Sequence, residues 1–163
     1  MIGDLLGTFA KTSLDTHDYS IIHIDEDSAA RFANNLVRVP GQTPLAISGT
    51  AVPVVGAPAC KSGARTGFSC GVVESVDQLV SVAGRPLDNS FSVNICALPG
   101  DSGGPIVSGT RALGVSSAST VADYPVCEIP NLIGPLLGNA PTLFATPIDT
   151  ILGENPGVRL RTS

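Results

Sequence analysis

Positive charge is scarce in this sequence. Nine Lys and Arg face fourteen Asp and Glu over 163 residues, a net charge of −5. No basic stripe stands out, so neither nucleic acid nor an anionic membrane surface is expected as a partner. No apolar run is long enough to span a bilayer, so membrane insertion is not expected either. The most apolar loop, Ile129 to Leu137, is interrupted by Pro130, Gly134 and Pro135. There is no CxxC pair and no cluster of His, and the chain has only His17 and His23, so no metal site and no cofactor are indicated. Tryptophan is absent, and there is no internal repeat or low-complexity tail. The start, Met1 to Leu6, has no basic residue, and Asp4 breaks its short apolar run, so it does not read as a secretory signal.

What the chain does have is turn formers: 18 Gly and 13 Pro, the mark of short strands joined by many turns. At this length it holds one domain or two very small ones. Leu5 to Phe9 reads as a strand, Lys11 to Thr16 as a turn, and Tyr19 to Ile24 as a strand with Asp18 at its entry. Asp25 to Arg31 reads as a polar loop. A Pro/Gly-rich crossing follows, with a boundary near Gly41. Beyond it, short apolar runs recur at 52–58, 71–76, 78–82, 91–95, 106–107, 112–116 and 142–145, a spacing that predicts an antiparallel barrel or sandwich. Thr146 is a candidate N-cap for a helix with Pro147 at its first position, ending at Gly153. The four cysteines, Cys60, Cys70, Cys96 and Cys127, allow two disulfides in three connectivities. Paired cysteines imply an exported protein, and an exported body without an export signal implies that N-terminal sequence is missing.

The most specific stretch is Gly100-Asp101-Ser102-Gly103-Gly104-Pro105. A serine in a glycine-rich turn can be approached closely by a substrate, and the turn can aim backbone N–H groups at a developing oxyanion. The hexapeptide resembles the nucleophile turn of chymotrypsin-like serine proteases without a substitution. Asp18-Tyr19 is similar to that family's bacterial aspartate signature, and it lies upstream, in the family's chain order. Cys60-Lys61-Ser62-Gly63, then Thr66-Gly67 and Cys70-Gly71, resembles a hairpin of the streptogrisin and alpha-lytic protease branch. Asn94 to Pro99, Ser108 to Ser117 and Phe144 to Val158 also look like that branch.

The resemblance, from about Leu5 to Leu160, implies an all-β, chymotrypsin-like double β-barrel. Residues 1–42 would be a partial first barrel carrying the catalytic Asp18. Residues 43–163 would be a complete six-stranded second barrel carrying the catalytic Ser102, with a short C-terminal helix. The N–H groups of Gly100 and Ser102 would form the oxyanion hole. Lys61 would pair with an inward-turned Asp101 to support the nucleophile turn. Ser117, Ala118, Ser119 and Ala97 would bind substrate, and the pairings would be Cys60–Cys70 and Cys96–Cys127. Where the branch has Ser-Gly-Gly, this chain has Ser117-Ala118-Ser119, and no acidic residue stands at the pocket base. A small or medium apolar P1 residue is therefore expected.

The implied activity is peptide-bond hydrolysis of a polypeptide substrate outside the cell. A serine hydroxyl needs a general base. The family's histidine, in an Ala-His-Cys turn well upstream of the aspartate, has no counterpart in this sequence. His17 adjoins Asp18 and diverges from it along an extended backbone, and His23 lies within a strand; neither is expected to reach Ser102. The chain alone is expected to be inactive, the alternative being a non-catalytic binding or structural protein on the same scaffold. First-barrel strands without neighbours would expose apolar edges and promote association.

Overall fold

In the computed structural model, which describes residues 3–163, the chain is built around one closed antiparallel barrel. Its strands are β6 (Pro58–Gly63), β7 (Gly67–Val82), β8 (Arg85–Val93), β9 (Pro105–Ser108), β10 (Arg111–Ser119) and β11 (Leu143–Pro147). They pair in the cycle β11-β8-β7-β6-β9-β10, and β10 returns to β11, so no edge is left unpaired. This is the expected six-stranded barrel. A two-residue strand, β5 (Gly49–Thr50), adds in parallel to β10. The inward side chains of alternating positions fill the barrel: Ala59, Val73, Phe91, Val93, Ile95, Ile106, Leu113, Leu143 and Ala145 form one buried cluster.

β10 and β11 approach closely around Gly114, where a Cβ would collide with Thr146 O and lie 2.6 Å from Phe91 Cε1. Both neighbours are buried and packed. Gly114→Ala is expected to destabilise the chain by about 1–3 kcal/mol. Calorimetry should read this as a thermal midpoint lower by several degrees; an unchanged midpoint would mean that the β10–β11 seam is looser than described.

Outside the barrel, β1 (Gly7–Ser13) and β2 (Tyr19–Ile24) form a separate hairpin, and β3 (Leu36–Val37) pairs with β4 (Leu45–Ala46). Several elements depart from the sequence reading. β1 extends through Lys11 to Ser13, because pairing with β2 across a bulge at Phe9/Lys11 outweighs the local turn preference. The stretch read as a polar loop holds α1 (Glu26–Phe32), with Glu26 and Asp27 in its first turn, where acidic side chains suit the helix dipole. The interrupted apolar loop is α2 (Glu128–Leu137). Pro130 falls in its first turn, where the missing N–H has no partner to lose. Gly138, at φ 73°, closes its end, and Asn139 N donates to Gly134 O at 2.8 Å.

Two runs read as separate strands, 71–76 and 78–82, are one strand, β7, kinked by register shifts between Val73 and Val80. The run at 52–58 is mostly irregular, with a turn at Val55 and Gly56, and β6 begins only at Pro58. The C-terminal helix is present as α3 (Ile148–Glu154) but starts later than expected. Pro147 is its N-cap, and it runs on through Gly153 to Glu154. Thr146 does not cap it; its Oγ1 donates instead to Asp18 O at 2.9 Å. Met1 and Ile2, part of the segment read for an export signal, lie outside the described residues.

Candidate active site

Ser102 sits exposed on the turn between Ile95 and β9. Gly100 and Gly103 adopt φ of 107° and 82° on either side of it, conformations that side chains with a Cβ disfavour. This path engages the N–H groups of Asp101, Gly103 and Gly104 with Leu98 O, Ser116 O and Asp101 O. Among the described residues, the N–H groups of Gly100 and Ser102 have no protein acceptor.

Asp101 turns inward and is 1% exposed. Its Oδ1 accepts from the N–H groups of Arg65 and Thr66, both at 2.9 Å. Its Oδ2 accepts from Leu98 N at 2.9 Å and Thr66 Oγ1 at 2.6 Å. Burial alone would push this carboxyl up, but those hydrogen bonds, aided by the Lys61 charge, outweigh it and hold the carboxyl below its ordinary range.

Lys61 is equally buried, and it does not pair with Asp101 directly. Its Nζ donates to Thr66 Oγ1 at 2.5 Å and to Gly67 O at 3.0 Å, so Thr66 relays between ammonium and carboxylate. Burial pushes the Lys61 ammonium down, and the Asp101 charge offsets this only in part. Thr66 was present in the quoted hairpin pattern, but its role depends on the β6–β7 turn folding back over Asp101, which no local signal encodes.

The edge that the resemblance assigns to substrate is the end of β10. Its pairing with β11 slips between Ser116 and Ala118, so Ser117 is an extra residue in a bulge. Bulges re-aim side chains. Here Ser117 Oγ donates to Asp18 Oδ2 at 2.5 Å, while Ser117 O accepts from Ser102 Oγ at 3.2 Å. Ser117 therefore links the two triad candidates, which are far apart in the sequence, a side-chain role the sequence reading missed. Asp18 itself is held by the hydrogen bond from Thr146 and by its neighbour Tyr19. The Tyr19 ring is buried, its OH accepts from Asn155 Nδ2 at 3.1 Å, and Lys11 Nζ lies 5.4 Å from its centroid.

Asp18 and Ser102 line one cavity of about 530 Å³ between β2 and the C-terminal segment. Neither histidine lines it. His17 Nδ1 lies 2.6 Å from Glu154 Oε1, but Nδ1 is buried and makes no hydrogen bond of acceptable geometry. His23 is exposed on β2. A second cavity of about 260 Å³ adjoins Ser102; Ala97, Ser117, Ala118 and Ser119 line it, together with Leu98 and Leu143. It contains no charged side chain. The disulfides Cys60–Cys70 and Cys96–Cys127 are both formed. The first ties β6 to β7, and the second ties the segment leading to Ser102 to the start of α2.

No family model matches the chain. Curated proteins do. Serine protease 2 of Streptomyces fradiae is 34% identical over 117 residues, covering 71% of this chain and 66% of that protein. Streptogrisin-C of Streptomyces griseus is 31% identical over 114 residues, covering 70% of this chain and 24% of that protein. The chain thus spans between about a quarter and two thirds of these relatives. Among solved structures, the Cellulomonas bogoriensis chymotrypsin superposes with a TM-score of 0.79 at 26% identity, covering 96% of this chain and 76% of that one. Sequence likeness over most of the chain and likeness of fold point the same way: the chain belongs to the chymotrypsin-like serine proteases, in the streptogrisin and alpha-lytic protease branch.

Proposed function

We propose that this chain carries the nucleophile, oxyanion hole and substrate edge of a serine endopeptidase that works through an acyl-enzyme on Ser102. The observation that carries this reading is the linkage of Ser102 and Asp18 through Ser117, beside two uncommitted N–H groups. Ser102 Oγ attacks the scissile carbonyl, and the Gly100 and Ser102 N–H groups take the oxyanion. Asp18 orients the imidazole that accepts the serine proton. The substrate backbone pairs along Ser117 to Ser119, and the uncharged cavity beside Ser102 accepts a small or medium apolar P1 side chain. Lys61 and Asp101 act through Thr66 to hold the turn. Residues 1–42 are assigned to the first barrel and 43–163 to the second. Two disulfides suit an oxidising compartment, so we assign the protein to the extracellular side.

Substrate recognition is separable from chemistry. A product peptide ending in an Ala or Leu carboxylate should place that carboxylate at the oxyanion hole. The expected result is a saturable amide shift at Gly100, Ser102 and Ser117 to Ser119 by NMR. Shifts elsewhere, or none at millimolar peptide, would remove the protease cleft and leave the non-catalytic alternative.

His17 and His23 do not supply the base in this reading, and the 163-residue chain alone is inactive. The β1–β2 hairpin also exposes Phe9 and Ile22, which are 71% and 49% accessible and directly paired across the hairpin, and Leu5 just before β1 is exposed too. We assign self-association to this face. Replacing Phe9 and Ile22 together by Thr should shift sedimentation from associated species to monomer. A monomeric parent chain at high concentration would overturn this.

A further inference from the structure

α2 shelters a cavity of about 620 Å³ between itself, the end of β10 and Glu74 on β7. That is within the size range of small-molecule sites. It lies behind the wall of the cavity beside Ser102, and the two share no lining residue: Val121 faces this one and Ala122 the other. Its apolar side is Val121, Ile133 and Leu137, and Tyr124 adds an aromatic ring. Glu74 is the only charged side chain in the lining. The Glu74 carboxylate accepts one hydrogen bond, from Thr142 Oγ1 at 3.3 Å, and makes no ion pair with any described cation. The segment that builds most of the cavity, Val121 to Leu137, carries Asp123 and Glu128 and no Lys or Arg of its own; the cation beside it is Arg65, whose Nη2 donates to Pro125 O at 3.3 Å.

We propose that the cavity under α2 is a binding site for a small organic cation, a primary ammonium carried on an apolar stem. The ammonium would meet the Glu74 carboxylate at the rim. Tyr124, which lines the cavity and packs on the cluster that includes Val121, would add the attraction of its ring for a cation, and the stem would lie against Ile133 and Leu137. This inference stands on the cavity alone and does not depend on the proteolytic reading.

The test uses the full chain with Ser102→Ala, which excludes self-cleavage and leaves this cavity untouched. Titration with 2-phenylethylammonium, followed by amide shifts, should saturate and map to Glu74, Thr120, Val121 and Thr142. Glu74→Gln is exposed and should leave the fold intact, as its spectrum will report, but weaken binding about tenfold or more, while Glu74→Asp retains part of it. The neutral isostere 2-phenylethanol should bind at least tenfold more weakly. N-acetyl-lysine amide, a peptide-borne ammonium, should bind as well as the free amine if polypeptide side chains are the natural source, and more weakly if free amines are. Equal affinity for the alcohol, indifference to Glu74→Gln, or shifts confined to Ala97 and Ser117 to Ser119 would overturn the proposal.

Discussion

The 163-residue chain is expected to react with a fluorophosphonate at Ser102 about 10⁴-fold more slowly, or worse, than the same chain supplied with an imidazole base. The physical reason is proton abstraction. Removing one triad member costs several orders of magnitude, and what remains is catalysis by the oxyanion hole and binding alone. The cavity shared by Asp18 and Ser102 is lined by neither histidine, and His17 lies against Glu154 instead. Three comparisons, read by intact mass, check this. Millimolar free imidazole should accelerate labelling partially. Joining the family's upstream strands with their histidine should restore it, and Ser102→Ala should abolish it in every background. Asp18→Asn should reduce the imidazole-driven rate, because the orienting carboxylate is gone. Fast labelling of the chain by itself, lost on His17→Ala or His23→Ala, would show that one of these histidines moves to Ser102 in solution.

Removing the Asp101 carboxylate should cost about 3–5 kcal/mol of stability at neutral pH. Asp101→Ala leaves the Lys61 ammonium 1% exposed and without its only nearby countercharge, the situation in which breaking a buried pair is most costly. It also strands the N–H groups of Arg65, Thr66 and Leu98. Lys61→Met in the same chain should recover much of the loss, since the uncompensated charge is then gone. The pH dependence follows from the directions of the shifts. Asp101 is held below its ordinary value, so its contribution is complete above the usual carboxylate range and disappears as pH falls through the folded-state value. Lys61 is also depressed, so the unfolded chain binds more protons there, and stability rises as pH climbs from its folded value toward 10.5. Urea unfolding between pH 2 and pH 10 reads both limbs. The acid limb should flatten in Asp101→Asn. A cost below 1 kcal/mol for Asp101→Ala would mean that the Thr66 relay does not couple the two charges.

The helices separate local from tertiary causes. α3 was visible because proline, aspartate and a following glycine mark a helix locally, yet its first residue was misjudged. Thr146 is drawn into the β11 ladder and onto Asp18 O, and a side chain with a tertiary partner no longer caps. α2 was invisible because two prolines and a glycine argue against a helix. Pro130 falls where no hydrogen bond is lost, Pro135 lies inside the helix and removes one donor near its end, and Cys127, the N-cap, is tied to Cys96.

By itself the sequence determined the class of fold, the place of the glycine-rich serine turn and, under the resemblance, the cysteine partners. Those features are written in contiguous residues: alternating apolar runs between turn formers, an unbroken GDSGGP, and cysteines in a short hairpin. Only the tertiary structure decided how the site is wired. Ser117 reaches Asp18 across 99 positions of sequence because a bulge turns it out of β10. Lys61 acts on Asp101 through Thr66 because the β6–β7 turn folds over the carboxylate, and burial makes each unpaired charge there expensive. Such contacts depend on strand register and chain closure, which local residue patterns do not encode.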